Sequence, residues 1–512
     1  MNSFSLGTSL TRESMYSLLD PNLVVQISPE TVEVVTKCRV MLEEEIEKEK
    51  PIYGVSTGFG QLANTWIEKE RLEELQINLI RSHAAGMGDP IPKEITRTAM
   101  ILLANSLAKG HSGIRMQTLE LLKELINFNA IPITYQLGSL GASGDLAPLA
   151  HVALVLMGEG VLEYHGQRMD ANEFFKRTGL EPVRLAAKEG LALINGTHFI
   201  TAYALHILNL ARQLLTEGMV AAALSLEALR GTSSHFNPLI SSVRPHHGQQ
   251  TVSSLMLQLL EGSQILKSHA DPEIDHKVQD PYSLRCIPQV LGAAWDAFEY
   301  LEAKVVIEVN SVTDNPLIFP EEGMVLSGGN FHAEPLALPL EMATLAFAEI
   351  GSIAERRINR LVHPATKELP PFLAPNAGLQ SGYMIPHYTA AATLNRLRTL
   401  CFPAVIDNSP VSGDQEDHVS MGMTSAIKCH EAAKLCQQII SLELLLAIRG
   451  LNLQEGRPQS STLLEKIIDQ FNHKIPFIRD DHYVHPIMKA AYEYLKSNPF
   501  RDLSPSAFGS ID

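Results

Sequence analysis

Gly138-Ser139-Leu140-Gly141-Ala142-Ser143-Gly144-Asp145-Leu146-Ala147-Pro148-Leu149-Ala150-His151 is the stretch on which the reading of this chain turns. A serine framed by glycines suggests a nucleophile elbow or a phosphate loop, and residue chemistry rejects both. The elbow needs G-x-S-x-G, whereas Ser143 is followed by Gly144-Asp145, and a phosphate loop ends in Gly-Lys-Ser/Thr, which is absent. What Ala142-Ser143-Gly144 can do is cyclise. The Gly144 nitrogen, unhindered because its residue lacks a Cβ, can attack the Ala142 carbonyl if the backbone is forced into a tight turn. Loss of water from the ring and from Ser143 then leaves an exocyclic methylidene, an electrophile that no ordinary side chain supplies. An isolated Ala-Ser-Gly is a glycine-rich turn between helices; the residues around this one favour the reactive reading.

Outward from this stretch, two more glycine-rich connections, YGVSTGFG (53–60) and SGGNFHAEP (327–335), punctuate long segments of helical periodicity. Those segments are Thr197–Arg230, Ala337–Val362 and Glu416–Arg449, each longer than a typical globular helix. In the last, Val419, Met423, Ile427, Leu435, Ile439 and Leu442 recur at three- and four-residue steps while Lys428, Glu431 and Lys434 fall elsewhere, which predicts one packed and one solvated face. Ser28 followed by Pro29 reads as an N-cap and first helical residue, opening a helix through Val32, Val35 and Leu42 to a solvated end at EEEIEKEK. Strand-like runs such as Val305–Val309 are short, PATKELPPFLAP (364–375) reads as a loop, and no internal repeat is found. The fold class is mostly α, with long bundle helices.

Composition narrows the partner. With 41 Lys plus Arg against 57 Asp plus Glu, the formal net charge of −16 argues against nucleic acid or an anionic membrane and for a small solute. The N-terminus has neither a basic start nor an apolar run, and no uninterrupted apolar stretch suggests a membrane span, so a soluble intracellular protein is expected. The five cysteines include no C-x-x-C pair, against a disulfide framework or zinc knuckle. His246-His247 and the pair His482 and His485 near Asp480-Asp481 match no metal-ligand pattern and read as surface or capping histidines, so no metal is expected.

The Gly138–His151 context resembles the histidine and phenylalanine ammonia-lyase family, together with YGVSTGFG, NLIRSHAAGMG, KEGLALINGT, VQDPYSLRCIPQV, DNPLIF, SGGNFHAEP, ERRINRLV and QEDHVSMG in the family's order. The resemblance runs from about Ile52 to Gly450. It implies a long central helical bundle of the fumarase/aspartase-like type with a smaller N-terminal portion. The expected division is a portion 1–195 carrying the reactive loop and a tyrosine loop, then 196–512 with the long helices. It also implies a 4-methylideneimidazol-5-one (MIO) group formed from Ala142, Ser143 and Gly144, and a cytoplasmic homotetramer whose active sites draw on more than one copy.

By the same resemblance, Asn195 hydrogen-bonds the prosthetic group or the substrate amine. Arg285 binds the α-carboxylate through its planar fork. Tyr53 and Tyr282 are the family's tyrosines; a phenol, with a reference pKa of about 10, serves as a base only beside cationic or helix-end neighbours. Gln279 and Phe331 line the cavity. His83 and Glu416 match histidine-specific members, where a carboxylate beside an imidazole can pair the ring N–H or take a proton. The implied reaction is L-histidine to trans-urocanate and ammonia, the first step of histidine degradation. Three departures bear on it: Ser56 for Asn or Thr, His198 for the glutamine of N-G-T-Q, and Asn395-Arg396-Leu397-Arg398 with CFPAVIDN for S-E-N-K and its H-P-A-S-V-D-S-like sequel. Alternatives are a lyase or aminomutase for tyrosine, phenylalanine or a modified histidine, and a catalytically silent helical interaction protein.

Overall fold

The structure, a computed structural model, describes residues 3–48, 50–270, 277–505 and 508. Helices dominate, as the periodicity predicts, and the longest are His198–Ala228, Ile287–Glu308, Glu334–Val362 and Gly422–Leu453. The predicted cap is present: the Ser28 side chain accepts the Thr31 N–H at 3.2 Å, Pro29 is the first helical residue, and the helix runs to Glu47. Val35, Cys38 and Leu42 are buried along it, but Val32 faces solvent.

Three local readings change. Val305 closes the helix Ile287–Glu308 instead of starting a strand, because its burial overrides the weak β preference of a branched side chain. The last long helix begins at Gly422, since Val411 and Glu416 exchange backbone hydrogen bonds of 3.1 and 3.3 Å and Met421 stands at φ +52°. Its solvated face is confined to the first half, for every residue from Ser441 to Leu451 is buried. Among the described residues one helix, Glu334–Val362, is long and apolar enough to cross a membrane; 72% of its most apolar window is buried in the protein, as in a core helix.

The chain forms two compact units. The first comprises Met1–His206, Leu301–Glu341 and Pro403–Ile427, and holds every strand among the described residues. In it, Met87–Pro90 and Tyr135–Leu137 pair antiparallel, so the chain enters Gly138 from a strand and leaves Asp145 into the helix Leu146–Leu156. One of its buried clusters joins Cys38, Leu42, Val55, Leu72, Ala187 and Ile318. The second comprises Ile207–Tyr300, Met342–Phe402 and Lys428–Asp512 and is helical. Trp295, Phe298 and Phe347 are fully buried there, and so is an ion pair in which Arg357 holds both oxygens of Glu443 at 2.5 and 2.8 Å. Glu217, also buried, accepts from Gln213 at 2.8 Å and Gln437 at 3.2 Å, and burial pushes its carboxyl up to about 8.

Candidate active site

The loop 138–145 is held from several directions within the first unit. Ser420 Oγ and the Ala333 N–H both donate to Gly141 O at 3.0 Å, and the Met421 N–H donates to Leu140 O at 2.8 Å. Gly144 stands at φ +77° and pairs with Gly196; a Cβ on it would lie 2.2 Å from the Gly196 carbonyl oxygen, so only glycine fits. The Asp145 N–H donates to that carbonyl at 2.8 Å, and the Gly196 N–H reaches Ser143 O at 3.4 Å. Asp145, fully buried, accepts from Ser139 Oγ at 3.0 Å and from the Phe199 and Ile200 N–H groups, at 2.8 and 3.0 Å, at the start of the helix His198–Ala228. Burial pushes its carboxyl up to about 7 in spite of these donors.

Around this loop the structure gathers most of the residues singled out from sequence. A cavity of about 490 Å³ is lined by Tyr53, His83, Ser143, Asn195 and Glu416 among apolar residues such as Leu62, Ile67 and Leu79. A second, of about 340 Å³, shares Tyr53, Ser143, Asn195 and Glu416 and adds Ala142, Phe331, His332 and His418. Tyr53 accepts the Gly60 N–H on its hydroxyl at 3.2 Å, which leaves its own O–H to donate. Asn195 ends the short helix Glu189–Ile194, and its Oδ1 is buried without a partner among the described residues. Glu416 accepts a hydrogen bond from the Ser143 side chain; burial raises its carboxyl above the usual range, and that bond partly offsets the rise. His83, last residue of the helix Leu72–His83, has Nδ1 2.8 Å from Leu79 O. A carbonyl only accepts, so Nδ1 carries the proton and Nε2 is the acceptor. Burial lowers the His83 pKa, which favours the neutral ring.

Gln279, Tyr282 and Arg285 belong to the second unit and are brought together with one another. Arg285 Nη1 donates to Gln279 Oε1 at 2.8 Å, and its guanidinium lies 4.6 Å from the centre of the Tyr282 ring. Tyr282 opens the short helix Tyr282–Arg285 and is 71% exposed.

Sequence reasoning did not single out Asp145, His332 or His418, although each lies inside a quoted motif. The two histidine rings stack with centroids 5.7 Å apart, and only their convergence in space marks them. The departures resolve differently. Ser56 Oγ accepts the Ile52 N–H at 2.9 Å and donates to Lys50 O at 3.1 Å, closing a local turn. His198 is buried beside Gly196, with neither ring nitrogen bonded among the described residues, and burial drives its pKa down to about 3. Arg396 forms an exposed ion pair with Glu431 at 2.8 Å. His482 Nδ1 donates locally to Asp480 O at 2.8 Å, while His247, Asp296 and Glu299 bring one ligand atom each within 4.8 Å of one another on a half-exposed surface.

The chain matches the aromatic amino acid lyase family over residues 10–473. It is 44% identical over 481 residues to the histidine ammonia-lyase of Deinococcus radiodurans, covering 94% of this chain and 91% of that protein. The crystal structure of histidine ammonia-lyase from Trypanosoma cruzi superposes with a TM-score of 0.90 at 38% identity, covering 99% of this chain and 97% of that one. Tyrosine aminomutase from Streptomyces globisporus gives 0.91 at 33% identity, covering 98% of each chain. The fold and these relatives define a carbon–nitrogen lyase. The chain belongs to the aromatic amino acid lyase family.

Proposed function

We propose that this protein deaminates L-histidine without oxidation, giving trans-urocanate and ammonia, through an MIO group formed from Ala142, Ser143 and Gly144. The observation that carries the choice of substrate is the arrangement of His83 and Glu416 on the cavity that Ser143 faces. With Nδ1 committed to Leu79 O, the His83 ring offers Nε2 as an acceptor for an imidazole N–H, and an apolar pocket for phenylalanine has no use for such a group.

The residues fit the prosthetic group on three counts. Gly144 is pressed against Gly196 at a positive φ, Ala142 is small and buried, and Asn195 Oδ1 is a buried acceptor without a partner. When formed, the group supplies an electrophile for the substrate amine. The reaction breaks the Cα–N bond and removes a β-proton, leaving the Cα–Cβ double bond. Asn195 holds the amine or the prosthetic group. Arg285 anchors the carboxylate with the arm that Gln279 leaves free. Tyr53, Tyr282 and Glu416 take the acid and base roles, Tyr282 with the Arg285 cation 4.6 Å from its ring centre. Phe331 bounds the cavity wall.

In this reading Gln279, Tyr282 and Arg285 complete the site of a neighbouring copy within a homotetramer. The exposure of Tyr282 and the apolar stripe Leu338, Met342 and Leu345 on one helix support such contacts. All five cysteines are unpaired, which supports a reducing, cytoplasmic setting. The test is to incubate the purified protein with L-histidine and follow urocanate absorbance, with L-tyrosine, L-phenylalanine and the betaine of histidine in parallel. Urocanate formation that borohydride blocks is the expected result. A β-amino acid product would instead identify an aminomutase, and silence with all four would overturn the catalytic reading.

A further inference from the structure

In a chain of formal net charge −16, one cavity is walled by cations. It lies wholly in the second unit, encloses about 690 Å³, and is lined by Arg230, His269, Lys277, Lys367 and Arg457, with Glu368 and Glu455 as its acidic residues. Both acids are engaged: Glu368 lies 2.7 Å from Lys277 Nζ, and Glu455 lies 2.7 Å from Arg479 Nη1. Arg457 is committed as well, holding both oxygens of Glu465 at 2.6 and 3.0 Å. Lys277 also donates to Leu229 O and Arg230 O, at 2.6 and 3.3 Å, just past the end of the helix His198–Ala228, where unpaired carbonyls carry partial negative charge.

Buried His269 is fixed in the wall, with Nδ1 2.8 Å from Ile265 O and Nε2 3.1 Å from Gly231 O. What remains is the guanidinium of Arg230 and the ammonium of Lys367, neither with a side-chain partner among the described residues. Arg230 stands at φ +48°, a conformation uncommon outside glycine. Neutralising a helix end accounts for Lys277, which bonds the carbonyls, and leaves these two cations unexplained.

We propose that this cavity is a binding site for a small dianionic oxyanion, a phosphate or a dicarboxylate, held by the fork of Arg230 and the ammonium of Lys367. The planar guanidinium matches paired oxyanion oxygens, and the ammonium supplies a second point charge. Two positive charges without a side-chain partner among the described residues match a dianion better than a monoanion such as chloride. The proposal is independent of the reaction assigned above.

The test is calorimetric titration of the full-length protein with inorganic phosphate, then with succinate, in chloride buffer at constant ionic strength. One saturable site per chain is expected. Arg230→Gln and Lys367→Gln should each weaken it about tenfold, as befits a charge-assisted hydrogen bond, and the double variant should show no saturable binding. All three variants should melt with the parent when no anion is present, which separates lost binding from lost folding. Tighter binding of phosphate would identify a phosphoryl group as occupant, and tighter binding of succinate a dicarboxylate. Absence of saturable heat with both anions, or undiminished binding in the double variant, would overturn the site.

Discussion

The loop Gly138–Asp145 and the segment Lys277–Arg285 carry groups assigned to one reaction, yet they are held in opposite ways. The loop is over-determined: Gly196, Ala333, Ser420, Met421 and the start of a 31-residue helix all bond to it, and its reactive tripeptide is largely enclosed. The segment is tied by Lys277 to Leu229 O and Arg230 O, by Asp280 to the Thr232 N–H at 2.7 Å and by Arg285 to Gln279, but it leaves Val278 fully exposed and Tyr282 mostly so. Forcing a covalent rearrangement requires a backbone that cannot relax, whereas gripping a diffusible substrate requires side chains at an accessible surface.

The largest effect tests the enclosed region. Ser143→Ala should fold and melt like the parent while elimination falls by more than about 10³-fold, that is, by upward of about 4 kcal/mol of transition-state stabilisation. Mass spectrometry should find the parent lighter than its encoded chain by two waters and the variant unchanged; wild-type turnover in the variant would break the assignment. Next comes the exposed segment. Arg285→Lys keeps the charge and removes the fork, so kcat/KM for histidine should drop by roughly ten- to a hundredfold at unchanged Tm. An unaltered value would mean that the Arg285 fork is not what anchors the substrate.

A smaller change sharpens the choice of substrate: His83→Leu should raise KM for histidine by about tenfold and improve the use of phenylalanine, measured as a ratio of kcat/KM values. The smallest expected effect on turnover, read instead in stability, concerns the interior of the second unit. Glu217 has its carboxyl raised from 4.5 to about 8 by burial, so its protonated form is the folded one. Its contribution is therefore present below about pH 4.5 and is lost as pH rises through about 8, an effect on the order of a few kcal/mol. Glu217→Gln should flatten the decline of Tm over that window, and an unchanged slope would show that some other group sets it.

Sequence carried the helical class, the Ser28–Pro29 start and the glycine-rich turn at 138–145 because each is written locally, in capping chemistry, periodicity and residue size. It also named Tyr53, His83, Asn195 and Glu416, which turn out to share one cavity. What it could not carry depends on distant partners. The bridge between Val411 and Glu416 stops the last helix short, burial converts Val305 to helix, and the Arg357–Glu443 and Lys188–Asp314 pairs form across the fold. Asp145 was visible as a letter in the motif, but its grip on Phe199 and Ile200 was not, since nothing local says that two segments so far apart meet. The odd arginine at 396 is an exposed ion pair, whereas the odd histidine at 198 lies against Gly196, which pairs with Gly144.

Gly196 closes against Gly144 from nearby in the chain, but Ala333 and Ser420, which pin Gly141, come late. Under the proposed chemistry a ribosome that has released only the first half of this polypeptide has made nothing reactive, and a copy truncated before position 420 stays inert. The hazardous electrophile would arise only in molecules that have finished folding, so activation itself would serve as a proofreading step on synthesis.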